Sequence, residues 1–250
     1  MPNHVTTRCV VTGPQAEVER FKARMIVDQM EEREDWWPAD REPKPFTTFE
    51  FNAVIPMPES LVGAEESSSA EEGLALIMAR GSSIAPFAKL GLYDYQIERI
   101  RSVAGLAADA AITEVAKAYL DANPEVEAAG QKRIKALAAT GYTSWYPWSI
   151  ANWGTKWGAY QYSMVSDEPG CFEFTFQTAW SFPEQVFAAI TREFPSLVFD
   201  CATFDEGWNF AGKGTFSTPA TEHHFAFCDA TDELYEQVYG SPERDEDEAA

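Results

Sequence analysis

Basic residues are scarce in this chain of 250 residues: 19 Lys and Arg stand against 40 Asp and Glu, a net charge of −21 at pH 7. Duplex DNA carries about one negative charge per 1.7 Å, and proteins that grip it neutralise phosphates with clustered Lys and Arg. The densest basic segments here, Arg99 to Arg101 and Lys132 to Lys135, are single turns beside acids. Direct binding to duplex DNA or to an anionic membrane surface is therefore not expected. Long apolar runs are missing too. None approaches the roughly 18 residues that span a bilayer, and Met1 to Gly13 lacks the basic-then-apolar pattern of a secretion signal. The expectation is a soluble, cytoplasmic chain.

Cysteine and histidine are equally sparse. Cys9, Cys171, Cys201 and Cys228 lie far apart with no C-x-x-C pair, which argues against disulfides in that compartment. Cys9, Cys171 and Cys228 fall in strand-like runs, where a free thiol acts as a small hydrophobe. His223, His224 and Cys228 do not make a metal site by spacing, because a strand sends adjacent histidines to opposite faces and a second ligand pair is missing. His4, the third histidine, has no nucleophile or acid at a recognisable spacing. Asp205 and Glu206 are adjacent rather than facing, and no phosphate-binding loop or dinucleotide fingerprint appears. A non-enzymatic protein with no cofactor and no metal is expected.

Aromatic residues are what the chain has in quantity: 8 Trp, 9 Tyr and 17 Phe, within a hydrophobic share of 45% that suffices for a sizeable core. His4 to Thr12 is rich in β-branched types and ends at Gly13-Pro14, a strand closed by a turn. Val18, Phe21, Met25 and Ile26 then follow helical spacing, giving a helix from Pro14 to about Met30. Phe46 to Ile55 alternates between Pro45 and Pro56 and reads as a second strand. Leu61 to Ala70 is small and acidic, the composition of a mobile linker. Glu71 to Ala139 has the composition and spacing of a helical insertion of three to four helices. Tyr160 to Val165 and Cys171 to Ala179 are strands joined by the turn at Asp167-Glu168-Pro169-Gly170. Phe182 to Phe194 is a helix, and Leu197 to Phe204, Trp208 to Phe216 and His224 to Cys228 are strands. The acidic tail is expected to be disordered.

Two strand-helix-strand units on one sheet make an α+β, ferredoxin-like plan: an antiparallel sheet with two helices on one face, extra edge strands and a helical insertion. The expected parts are a sandwich from residues 1–60 and 141–230, an insertion over 71–140 and a tail over 241–250. Phe172, Phe174 and Phe176 share one strand face, where they are a candidate stacking platform for single-stranded nucleic acid.

Five ordered segments carry a resemblance: Met1-Pro2-Asn3-His4-Val5-Thr6; Val54-Ile55-Pro56-Met57-Pro58; Asn152-Trp153-Gly154-Thr155-Lys156-Trp157; Phe176-Gln177-Thr178-Ala179-Trp180-Ser181; and Glu206-Gly207-Trp208-Asn209-Phe210-Ala211-Gly212. Together they resemble the YubB-like family of phage and plasmid accessory proteins. The resemblance implies a ferredoxin-like domain, a mobile-element origin and a bacterial cytoplasmic setting. It transfers no catalytic residue, and it does not extend to the insertion or the tail.

The aromatic motifs admit two arrangements. In one, Trp153, Trp157, Trp180 and Trp208 line a cleft with Asn152, Lys156, Glu206 and Asn209 as its polar groups, taking a planar or cationic ligand on indole faces. In the other, the indoles fill the space between sheet and helices and Lys156 pairs with Glu206 or Asp205. For function, the charge and the resemblance lead to protein–protein binding, with an acidic surface blocking a host nuclease or other nucleic-acid-binding or defence protein. Such a DNA mimic needs Glu31 to Asp35, Glu65 to Glu72 and Glu243 to Glu248 on one surface. The alternative is a small ligand or single-stranded nucleic acid in the Trp-lined cleft.

Overall fold

Nine residues, His4–Thr12, form strand β1, paired along both edges; Val5, Thr7, Cys9 and Val11 alternate to one face and are buried, and Thr6 on the other face is buried as well. The computed structural model describes residues 3–33, 37–64, 66–81, 92–107, 109–218 and 225–241. Helix α1 (Gln15–Met25) follows, then β2 (Ile26–Met30) and β3 (Pro45–Phe49). Next come α2 (Glu59–Val62), α3 (Ser68–Arg80), α4 (Asp94–Ala104), α5 (Ile112–Ala122), α6 (Pro124–Thr140) and α7 (Trp145–Asn152). The chain then runs through β4 (Tyr160–Glu168), β5 (Cys171–Ala179), α8 (Glu184–Glu193), β6 (Val198–Asp205), β7 (Ala211–Phe216), β8 (Ala226–Cys228) and α9 (Asp232–Tyr239). Two units result, Met1–Pro56 with Ser149–Ala250, and Met57–Trp148.

The first unit holds a six-stranded sheet in the order β4-β5-β1-β6-β7-β8, antiparallel throughout. Its four strands β4, β5, β1 and β6 with α1 and α8 are the ferredoxin-like frame, and β7 and β8 extend it on one side. Phe172, Phe174 and Phe176 point to the helix side. Phe21 of α1 lies 6.5 Å from Phe172 and 6.2 Å from Phe174, ring centre to centre, and Phe187 of α8 lies 6.3 Å from Phe176. All three β5 rings are buried, each contributing roughly 1.5–3 kcal/mol by leaving water. They are core, so the rings considered as a candidate stacking platform are covered by the helices.

The opening unit departs from its sequence reading. Helical spacing continues past Met25, but Ile26 and Val27 are β-branched and pair with Phe49 and Thr48, so the chain leaves the helix there and makes a separate two-stranded hairpin. The expected strand Phe46 to Ile55 is shorter, breaks into a 3-10 turn at Phe51–Ala53 and never joins the main sheet. The strand that completes the first strand-helix-strand unit is β4, reached only after the helical unit. The supposed linker also has structure: Leu61, Ala64 and Ala70 are buried and Ser67 caps α3 by accepting from the Ala70 N–H. The sheet's second face is covered at one end by α9, whose Leu234, Tyr235 and Val238 pack on Ala202, Phe204 and Ala211.

The second unit is helical. Leu76, Ile100, Val115 and Leu120 form its core, drawn from α3, α4 and α5. Gly73 and Gly130 let α3 and α6 touch backbone to backbone, since a Cβ on either would collide with the other helix. Buried Glu72 is satisfied by the guanidinium of Arg99 and by the Gln96 amide at 3.1 Å, with the Tyr119 hydroxyl at 3.5 Å.

A lysine between two indoles at one end of the sheet

Antiparallel order sets the starts of β4 and β1 beside the ends of β5 and β6, so four chain segments converge at one end of the sheet. The register makes this concrete: His4 pairs with Ala179, Val5 with Asp205, and Tyr160 with Gln177. Glu206, just past β6, grips the start of β1 twice. Its Oε1 accepts from the His4 N–H at 2.6 Å and its own N–H donates to the His4 carbonyl at 2.9 Å. On the other side Nδ1 of His4 is 2.7 Å from the Tyr160 hydroxyl, and the two rings meet edge to face at 5.5 Å.

The loop from α7 to β4 supplies the rest. Gly154 takes φ +82°, a left-handed value that glycine adopts without strain, and Thr155 bonds the Trp157 carbonyl at 2.8 Å, folding the loop back. Lys156 then places its ammonium 4.5 Å from the centre of the Trp157 ring and 4.9 Å from that of Trp180, within the range where an indole face attracts a cation. Trp180 is 42% exposed and sits at φ +72°, a costly conformation for a bulky side chain, held by its N–H donating to the Asn3 carbonyl at 3.0 Å. On the Trp157 side a hollow of about 490 Å³ is lined by His4, Trp157, Gly158, Ala159 and Tyr160.

Burial pushes the Tyr160 phenol up to about 12, the charge of Glu206 adds to the rise, and a hydrogen bond with Trp157 opposes it. A phenol so held keeps its proton at neutral pH, which makes it a hydrogen-bonding wall rather than a base.

Of the residues singled out in the sequence, Lys156, Trp157 and Trp180 come together, and Glu206 reaches them through His4 and Tyr160. The others part. Trp153 is core: it is 4% exposed, its indole N–H donates to the Ile55 carbonyl at 2.9 Å, and its ring meets Phe51 at 5.8 Å. Trp208 turns to the opposite face, stacked on Tyr235 at 5.5 Å and edge-on to Phe204 at 4.7 Å. Asn209 secures the turn after β6, bonding Asp205 Oδ2 through its backbone N–H at 3.1 Å and its amide at 2.6 Å. Asn152 ends α7. His4 and Tyr160 join the corner with no local signal in the sequence. They are 156 positions apart, and only strand order could have joined them.

The second face of the sheet carries a wider groove of about 840 Å³ beside α9, walled by Arg8, Glu173, Asp200, Lys213 and Glu236. Arg8 is held by Glu173 at 2.5 Å and by the Gln237 carbonyl at 3.3 Å. No group of three or more His, Cys, Asp or Glu suited to a metal occurs among the described residues; His223 and His224 lie outside them, as does the tail from residue 242. No helix among the described residues is long and apolar enough to cross a membrane.

The antiparallel sheet with helices α1 and α8 on one face makes this an α+β protein with a ferredoxin-like domain. Residues 155–247 match the family described as the ferredoxin-like domain in Api92-like protein. The matched segment runs from the loop before β4 to the tail and omits β1. Among solved structures, the crystal structure of protein Api92 from Yersinia pseudotuberculosis is similar at a TM-score of 0.40 and 9% identity, over 92% of this chain and 99% of that one. No curated protein matches.

Proposed function

We propose that this protein acts by binding rather than by catalysis, and that the corner around Lys156 holds a ligand with a planar or apolar part and an anionic group. The observation that carries this reading is the ammonium of Lys156 lying 4.5 Å and 4.9 Å from two indole rings, next to the hollow walled by His4 and Tyr160. A cationic ligand on those indoles would meet like charge, whereas an anion would meet Lys156 and leave its ring to the hollow. Indole-3-acetate and tryptamine test this, having the same ring and opposite charge. The indole N–H resonances of Trp157 and Trp180 are expected to shift with indole-3-acetate and not with tryptamine, and Lys156→Gln is expected to remove the response. Equal responses to both, or none, would defeat the reading.

The proposed setting follows the YubB-like motifs: an accessory protein of phages or plasmids in the bacterial cytoplasm. A second reading, supported by the net charge of −21, is binding to a host protein such as a nuclease through an acidic surface. The carboxylates that such a surface needs are partly engaged within the fold. Glu31 accepts from Arg41 at 3.4 Å and from the Lys44 N–H at 3.2 Å, Glu66 meets Arg133 at 3.1 Å and Ser144, and Glu72 is buried. Glu34, Asp35, Glu65 and the tail acids lie outside the described residues. Retention of a nuclease from host lysate at low salt, lost at about 0.5 M where screening acts within roughly 4 Å, is the expected outcome of this second reading; nuclease activity unchanged by the protein would end it.

A further inference from the structure

Cys9 and Cys201 stand opposite each other across β1 and β6, and their sulfurs are 3.6 Å apart in the core beneath the helices. Directly paired residues in an antiparallel ladder have Cα atoms about 4.5–5.5 Å apart. A disulfide closes over roughly 4.4–6.8 Å between Cα atoms. Side-chain rotation is therefore enough to bring the sulfurs together, with the ladder left in place. The other two thiols have no such partner in register: Cys171 pairs with Thr12 and Glu168, and Cys228 with Ala211.

The geometry points to an oxidation site: Cys9 and Cys201 close into a cross-strand disulfide when the protein meets a small disulfide such as oxidised glutathione. One thiol gives up its proton and attacks a sulfur of the small disulfide, forming a mixed disulfide and releasing one small thiol. The second thiol, likewise deprotonated, attacks the protein sulfur of that mixed disulfide and releases the other small thiol. Two protein thiols are oxidised and one disulfide is reduced to two thiols.

Both sulfurs are buried. Burial pushes the Cys201 thiol up, and the neighbouring Cys9 adds to the rise. Burial keeps a dissolved oxidant from both thiols while the sheet is closed, so exchange runs through local opening of the strands, at a rate set by that opening. Once made, the bond links positions 192 residues apart, which restricts the unfolded chain. It also fastens together the two strands whose ends carry His4 and Glu206.

The test uses the full chain with Cys171→Ser and Cys228→Ser, exposed to oxidised glutathione in buffer and in low urea, then alkylated and mapped by mass spectrometry. Expected is a pair of peptides joined through residues 9 and 201, two hydrogens lighter than the dithiol form and made faster in low urea. The joined protein is expected to melt higher by roughly 5 °C or more, and dithiothreitol to reverse both changes. Free thiols or glutathione adducts alone after oxidation in urea overturn the inference, as does a joined form that melts no higher than the reduced one. Cys9→Ser in the same background should lose the melting shift; where that variant does not fold, the peptide map of the parent decides.

Discussion

Nδ1 of His4 and the hydroxyl of Tyr160, 2.7 Å apart, tie the start of the central strand to the start of edge strand β4, across the end of β5. This phenol gives an alkaline prediction. Its ordinary value is 10.0 and the fold raises it to about 12 through burial first and Glu206 second. Between those values the unfolded chain has lost the proton and the folded one has kept it. Its contribution to stability is thus complete below pH 10 and falls away as the pH rises toward 12. Tyr160→Phe is expected to remove that share of the alkaline loss, read as the denaturation midpoint against pH. An identical slope in both proteins would speak against the assignment.

Gly73→Ala and Gly130→Ala are each expected to destabilise the helical unit by at least about 2 kcal/mol, because the added carbon collides with backbone at the α3–α6 crossing. Gly63 has open space around its Cβ position, so Gly63→Ala should stay within about 0.5 kcal/mol. Urea denaturation followed by helical circular dichroism separates the two cases.

Arg99→Ala is expected to cost more than Glu72→Ala. Removing the arginine leaves a buried carboxylate without its cation, with Gln96 and Tyr119 as its remaining partners among the described residues. Removing the carboxylate leaves a guanidinium whose side chain is already 51% exposed. A cost of about 3 kcal/mol for the first and clearly less for the second is the expected pattern in chemical denaturation. The reverse order would show that water reaches Glu72.

A fragment confined to residues 155–247 keeps β4, β5, β6, β7 and β8 but not β1, which lies between β5 and β6. It is expected to lack a cooperative unfolding transition, and a synthetic peptide of residues 1–14 should restore one by filling the gap. Cooperative melting of the fragment alone would mean that β5 and β6 pair directly.

Much of the fold was legible because it is written locally. The alternation in Cys171 to Ala179 marks β5, and Val186, Phe187 and Ile190 mark the buried side of α8. What failed needed distant partners. Ile26 to Met30 reads as helix until Phe49 and Thr48 are available to pair with it, and Phe46 to Ile55 reads as a sheet strand until β4 takes that place. The site was half legible for the same reason. Lys156 and Trp157 are sequence neighbours, Trp180 was found by its residue type, and His4 and Tyr160 acquire meaning only from strand order. Trp153 and Trp208 stand apart from that corner, because residue type alone does not say which neighbours an indole packs against.

The position of β1 also has a consequence for biosynthesis. It leaves the ribosome before everything it pairs with in the sheet, since β5 begins at Cys171 and β6 at Val198. Until both have been translated, its two hydrogen-bonding edges have no mates, whereas the helices of Met57–Trp148 find theirs within their own stretch of chain. Translation should therefore deliver a formed helical body between two unfinished parts of one sheet, with a nascent strand exposed to chaperones for most of that time.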